Sequence, residues 1–110
     1  MLLKTHHCGT LSKQDVGTEV VLNGWVQRRR DLGGVLFIDL RDRSGLVQIV
    51  FNPEISREAL EIGDRCRNEY VLAVKGKVVE RDAETVNPNL ATGEIEVKVT
   101  EVEIMNAAKN

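Results

Sequence analysis

Residues 27–51, QRRRDLGGVLFIDLRDRSGLVQIVF, bring together side chains suited to gripping a flat ring that carries hydrogen-bonding groups on its edge. Apolar and polar residues alternate through this stretch except at Phe37, which falls in the polar row with Asp39 and Arg41. Gln48 occupies the matching row of the next apolar run. An outward aromatic offers a stacking surface worth about 1–3 kcal/mol per nucleobase. A side-chain amide both donates to and accepts from a base edge, and the arginines at 28–30 supply charge for phosphate. Three arginines in succession project to both faces of a strand, so at most two serve one ligand; Arg28 and Arg30 are the pair on one side. This is chemistry for holding an unpaired nucleotide. Plainer readings use the same residues: a single exposed phenylalanine is ordinary surface, and arginines at a strand end form a solvated rim.

The elements that must position these groups have a period of two. Residues 19–30 put Val20, Leu22, Gly24 and Val26 on one side and Val21, Asn23, Trp25 and Gln27 on the other, as a strand does. Gly24 in mid-strand predicts a bulge or a sharp coil there. Turns at 31–34 and 42–45 separate this strand from two more, 35–41 and 46–51, forming a meander. A four-residue turn at 42–45 sets Arg41 opposite Leu46, Asp39 opposite Gln48 and Phe37 opposite Val50, with Ile38 facing Ile49 on the inner side. Asn52-Pro53 then opens an amphipathic helix with Ile55, Ala59, Ile62 and Cys66 on one stripe and proline in its first turn. Residues 70–80 return to strand, 82–93 are a long loop holding Pro88 and Gly93, and 94–104 alternate with a slip that implies a bulge near Thr100. Three strands, one helix and two strands predict an all-β fold with one helix between strands three and four. The expected architecture is a five-stranded, partly open Greek-key barrel of the OB type, whose second and third strands present a face to oligonucleotides.

At 110 residues the chain is one domain, expected over 1–106, with 107–110 starting a linker. The net charge of −2 argues against a general polyanion binder, but it hides a split. Residues 25–43 carry five arginines against three aspartates, and residues 80–103 carry two bases against seven acids, so phosphate binding is local to the first region. Cys8 and Cys66 form no C-x-x-C pair and are expected as reduced thiols. His6 and His7 are neighbours that point opposite ways on an extended segment, without an acid cluster to make a metal site. No apolar run approaches the roughly 20 residues of a membrane span, and MLLKTHHCG lacks a signal-peptide core; the expected compartment is the cytoplasm, with no membrane partner.

The run GWVQRRRDLGGVLFIDLRDRSGLVQIVF (24–51), with RNEYV (67–71) and TVNPNLATGEIEV (85–97), resembles the N-terminal anticodon-binding domain of bacterial aspartyl-tRNA synthetases. The likeness extends from Cys8-Gly9 to about Asn106. It implies that Phe37 stacks on an anticodon base, that Gln48 reads the middle uracil of the aspartate anticodon GUC, and that Arg28 and Arg30 contact a flanking base or phosphates. Arg81 and Asn87 would lie in a loop near the anticodon, and Glu96 would accept from a base amino group. The parent implied is an ATP-dependent, magnesium-using, homodimeric class II aspartate–tRNA ligase of the cytoplasm. This chain would be its monomeric tRNA-recognition module, with no cofactor and no catalytic motif of its own. Some aspartyl enzymes also charge asparagine tRNA, and Leu32, just after the arginines, resembles the discriminating form. The related asparaginyl and lysyl enzymes share the fold and parts of the pattern. Two other classes compete: a general single-stranded nucleic-acid-binding barrel, and a protein-contact barrel in which Phe37 packs on a partner.

Overall fold

A computed structural model describes residues 1–107, so most of the expected linker start at 107–110 lies outside the described residues. Five strands follow in chain order: β1 (Glu19–Leu32), β2 (Val35–Asp42), β3 (Gly45–Phe51), β4 (Val71–Glu80) and β5 (Ile95–Asn106). One helix, α1 (Arg57–Asp64), stands between β3 and β4. The strands close in the order β1-β2-β3-β5-β4. The seam between β3 and β5 is parallel and short, pairing only Ile49 with Val97 and Val50 with Lys98, whereas every other junction is a long antiparallel ladder.

Inward positions of all five strands fill the barrel: Leu22, Ile38, Ile49, Val74 and Val97 are fully buried. The hairpin register follows the alternation, with Phe37 opposite Val50, Ile38 opposite Ile49, Asp39 opposite Gln48 and Arg41 opposite Leu46. β5 skips Thr100 between the Lys75–Glu101 and Gly76–Val99 pairs, the bulge expected from the slip in its pattern. A second irregularity of the same ladder falls between Val71 and Leu72.

At Gly24 β1 takes the second of the two expected forms, a coil without a bulge. Its bulge is at Gln27, between the Val26–Leu40 and Arg28–Asp39 pairs, and not at Gly24. Gly24 is instead a point of close approach, where a Cβ would sit 2.5 Å from the Arg41 carbonyl oxygen. There β1 coils away from β4 toward β2, and Trp25 pairs with both Val71 and Arg41. The helix also begins later than the proline suggested. Ser56 is its N-cap and accepts from the Ala59 amide, while Pro53 lies in the preceding turn and Ile55 is 39% exposed. The reason is local: the Ser56 hydroxyl satisfies an orphan amide that proline cannot. Ala59 and Cys66 do join the core, with Cys66 just beyond the last turn.

Residues 1–18 are more than a lead-in. Short 3₁₀ turns at Cys8–Thr10 and Lys13–Asp15 carry Cys8 and Leu11 into the core. The Cys8 amide donates to Asp42 (2.8 Å) and the Gly9 amide to Ser44 (2.7 Å), which locks the β2–β3 turn from outside. Both cysteines are free and buried, and burial pushes both thiols up, with Asp42 adding to the effect at Cys8.

Candidate nucleic-acid interface

The bulge at Gln27 decides which arginines share the outer face with Phe37. Up to Val26 the even-numbered residues of β1 point into the barrel; after the bulge the odd-numbered ones do, because one extra residue reverses a period of two. Arg28 and Arg30 therefore share the outer face with Asp39 and Phe37, their cross-strand partners. Without the bulge both would point inward. Arg29, paired with Ile38, turns the other way and ties β1 to the end of α1. Its guanidinium donates to the carbonyls of Asp64 (3.0 Å) and Cys66 (2.6 Å) and pairs with the Asp64 carboxylate at 3.3 Å. A cation at helix C-terminal carbonyls is favourably placed.

At the centre of the outer face is Gln48, only 7% exposed. Arg30 Nη2 donates to Gln48 Oε1 (2.8 Å), and Gln48 Nε2 donates to Glu96 Oε1 on β5 (2.9 Å). Because a guanidinium can only donate and an ionised carboxylate can only accept, the two partners fix which way round the amide lies. One N–H and one carbonyl lone pair of Gln48 remain for another partner.

Gln48 also divides two clefts. One is lined by Arg28, Arg30, Asp39, Arg81, Asn87 and Asn89, with Leu46 and Leu90 as apolar walls. The other is lined by Phe37, Glu96, Lys98, Val79, Glu80, Asp82 and Thr85. The first is rich in cations and amides and the second in carboxylates, so the two sides of Gln48 favour opposite hydrogen-bonding partners. Phe37 is half-buried in the wall of the acidic cleft.

The segment 82–93 forms the roof of both clefts and is held at its neck. Arg81 donates to the carbonyls of Ile95 (3.0 Å) and Thr85 (3.1 Å), and the Thr92 hydroxyl donates to the Leu46 carbonyl (2.7 Å). At Gly93 a Cβ would collide with the Asn87 carbonyl, so only glycine closes this loop. Burial draws the Arg81 guanidinium below its ordinary value, opposed by Glu96 and Asp39 and reinforced by Arg30. Arg81 thus shapes the loop with part of its donor set while its charge faces the cleft. Among the described residues no group of three or more His, Cys, Asp or Glu is arranged to hold a metal ion, and no helix is long and apolar enough to cross a membrane.

Residues 20–105, nearly the whole barrel, match the family model of the OB-fold nucleic acid binding domain, tRNA anticodon type. The chain belongs to this family. An aspartate–tRNA ligase of Enterococcus faecalis is 61% identical to the OB domain over 106 residues, covering 96% of this chain and 18% of that protein. The aspartate–tRNA(Asp/Asn) ligase of Bacillus subtilis is 57% identical over 109 residues, 99% of this chain and again 18% of its own length. The OB domain thus spans under a fifth of the curated relatives it matches. Among solved structures, asparaginyl-tRNA synthetase from Pyrococcus horikoshii complexed with asparaginyl-adenylate superposes with a TM-score of 0.79 at 26% identity, over 99% of this chain and 24% of that one.

Every residue singled out from the sequence (Arg28, Arg30, Phe37, Gln48, Arg81, Asn87 and Glu96) lines one or both clefts. Sequence reasoning missed Leu46 and Leu90 as walls, Asn89 as a second amide, and Lys98 as the cation of the acidic cleft. Parity had a signal for Lys98, which shares a strand face with Glu96. Leu90 had none, because a loop has no period.

Proposed function

We propose that the OB domain reads the anticodon of aspartate tRNA, GUC, as the recognition module of an aspartate–tRNA ligase. The observation that carries this reading is Gln48: an amide held in one orientation by Arg30 and Glu96, with one donor and one acceptor unspent, between two clefts. Uracil offers an adjacent donor and acceptor on its pairing edge, the complement of that remainder. The middle base pairs with Gln48 and stacks on Phe37, and its neighbours enter the two clefts. Arg28 and Arg30 neutralise phosphates or meet a flanking base, Asn87 contributes an amide from the roof, and Glu96 accepts from a base amino group as well as from Gln48. The loop bases must leave their stack to be read this way, and the phosphate contacts set their register.

The parent would supply ATP, magnesium and the amino-acid site from outside this chain, work as a homodimer in the cytoplasm, and use binding energy gathered here to position the distant acceptor end. Support for the aspartate assignment is the identity to an aspartate–tRNA ligase of Enterococcus faecalis and to an aspartate–tRNA(Asp/Asn) ligase of Bacillus subtilis.

The test is a fluorescence titration of the domain against RNA hairpins bearing GUC or GCC in the loop. Wild type should bind GUC about tenfold or more tightly, since one well-formed base contact discriminates by about 1–3 kcal/mol, and Gln48→Ala should erase the difference. Phe37→Ala should weaken both hairpins together. Equal binding of GUC, GCC and an unrelated loop would make this a general single-strand binder.

A further inference from the structure

Asp39 is the one carboxylate among the residues lining the arginine-rich cleft, and it sits at the middle of the face, paired across strands with both Arg28 and Gln48. Its side chain is 20% exposed, and its nearest cation, Arg30 Nη2, stands 3.8 Å away, beyond hydrogen-bond distance. Among the described residues its carboxylate accepts no hydrogen bond, unlike Glu96, which holds Gln48. A cleft built only for phosphate would gain nothing from such a group, because a carboxylate repels the ligand. Three arginines line the same cleft, and Asp39 keeps its acceptor capacity unspent.

We infer that Asp39 is a base-reading residue of this cleft, its carboxylate accepting a hydrogen bond from the exocyclic amino group of a cytosine. This rests on the anticodon reading above and adds to it the residue that selects the third base. Cytosine presents one amino donor beside two acceptors, N3 and O2, so it needs one acceptor set among donors. Asp39 among Arg28, Arg81, Asn87 and Asn89 has that composition, and Leu46 and Leu90 supply apolar walls for the ring. Uracil turns a carbonyl oxygen toward the carboxylate at the same place and is rejected by repulsion as well as by the lost bond.

The experiment titrates wild type and Asp39→Asn against hairpins carrying GUC, GUU and GCC, with thermal unfolding of each protein alongside. Wild type is expected to prefer GUC over GUU by about tenfold or more, and Asp39→Asn to shrink that preference below about threefold while its preference for GUC over GCC persists. Should Asp39→Asn unfold, Asp39→Ala removes both acceptor oxygens in a smaller side chain and gives the same readout. A retained GUC over GUU preference in a folded variant overturns the inference. So does loss of the GUC over GCC preference instead, since Asp39 would then act through Arg30 on Gln48. A wild-type domain that distinguishes neither pair overturns the anticodon reading itself, and this inference with it.

Discussion

The two halves of β1 obey the same alternation with opposite signs. From Glu19 to Trp25 the strand runs in unbroken register against β4, its even residues buried and its outer residues crossed by the N-terminal segment, whose Thr5 amide and hydroxyl bond to Val21. From Arg28 to Leu32 it runs against β2, and its even residues carry the charges that face the clefts. The first half is scaffold and the second lines the clefts, and a single inserted residue separates the two. Burial energy fixes the first half, because turning a valine outward forfeits transfer free energy. The second half has few apolar residues, so Gln27 and the anchor at Arg29 must hold it.

Inserting one alanine after Gln27 would break this contrast and should have the largest effect. The register after Val26 would shift by one, turning Arg28 and Arg30 inward and Arg29 away from α1. Burying unpaired cations costs several kcal/mol each, comparable to a whole domain's stability of about 5–15 kcal/mol. The insertion should therefore give no cooperative urea transition, and circular dichroism checks this directly. Next in size, Gly24→Ala places a methyl 2.5 Å from the Arg41 carbonyl, so the crossing must open. A loss of about 1–3 kcal/mol in urea denaturation is expected, and an unchanged midpoint would mean the strand coils without needing the contact.

Within the arginine triplet the comparison sharpens. Arg29→Met should cost about 1–2 kcal/mol of stability by removing the charged hydrogen bonds to the end of α1, with the preference for GUC over GCC retained. Arg28→Ala should do the reverse, leaving stability within about 0.5 kcal/mol and weakening RNA binding. If Arg28 meets a phosphate, the slope of log affinity against log salt should flatten by about 0.7 on its removal; an unaltered slope would assign Arg28 to a base edge. The smallest effect belongs to the turn beneath the site. Despite partial burial, which works the other way, bonds from Ser44 and from the Cys8 amide hold the Asp42 carboxyl below its ordinary value. A depressed folded-state value means that this stabilisation is full above about pH 4. It is lost as the pH falls through the depressed value, so Asp42→Asn should be less stable at neutral pH and lose less on acidification.

Much of this was legible because the barrel's strands are half-buried. Alternation alone placed Phe37, Asp39 and Gln48 in one outer row, and the turn at 42–45 set their register. Pairing Arg28 with Arg30 was right about their shared face, but the strand pattern read straight through Val26 would have turned that face inward. Gln27 carries no sequence mark of a bulge, whereas Gly24, which does, marks a close approach. Equally hidden was the role of residues 1–18, since a segment with two isolated 3₁₀ turns has no period to read.

What the sequence by itself determined is the set of strands, their order, the inward row of each and the chemical types available on the outer face. These follow from local rules, namely a period of two, turn residues and burial of apolar rows. Only the tertiary structure decided that Gln48, buried on the outside of the barrel, is held between Arg30 from β1 and Glu96 from β5, and that the loop after Arg81 roofs two clefts of opposite character. Those contacts join residues 18 and 48 positions apart in the chain. They exist because closing the barrel brings β1, β3 and β5 together, and no local pattern encodes that distance.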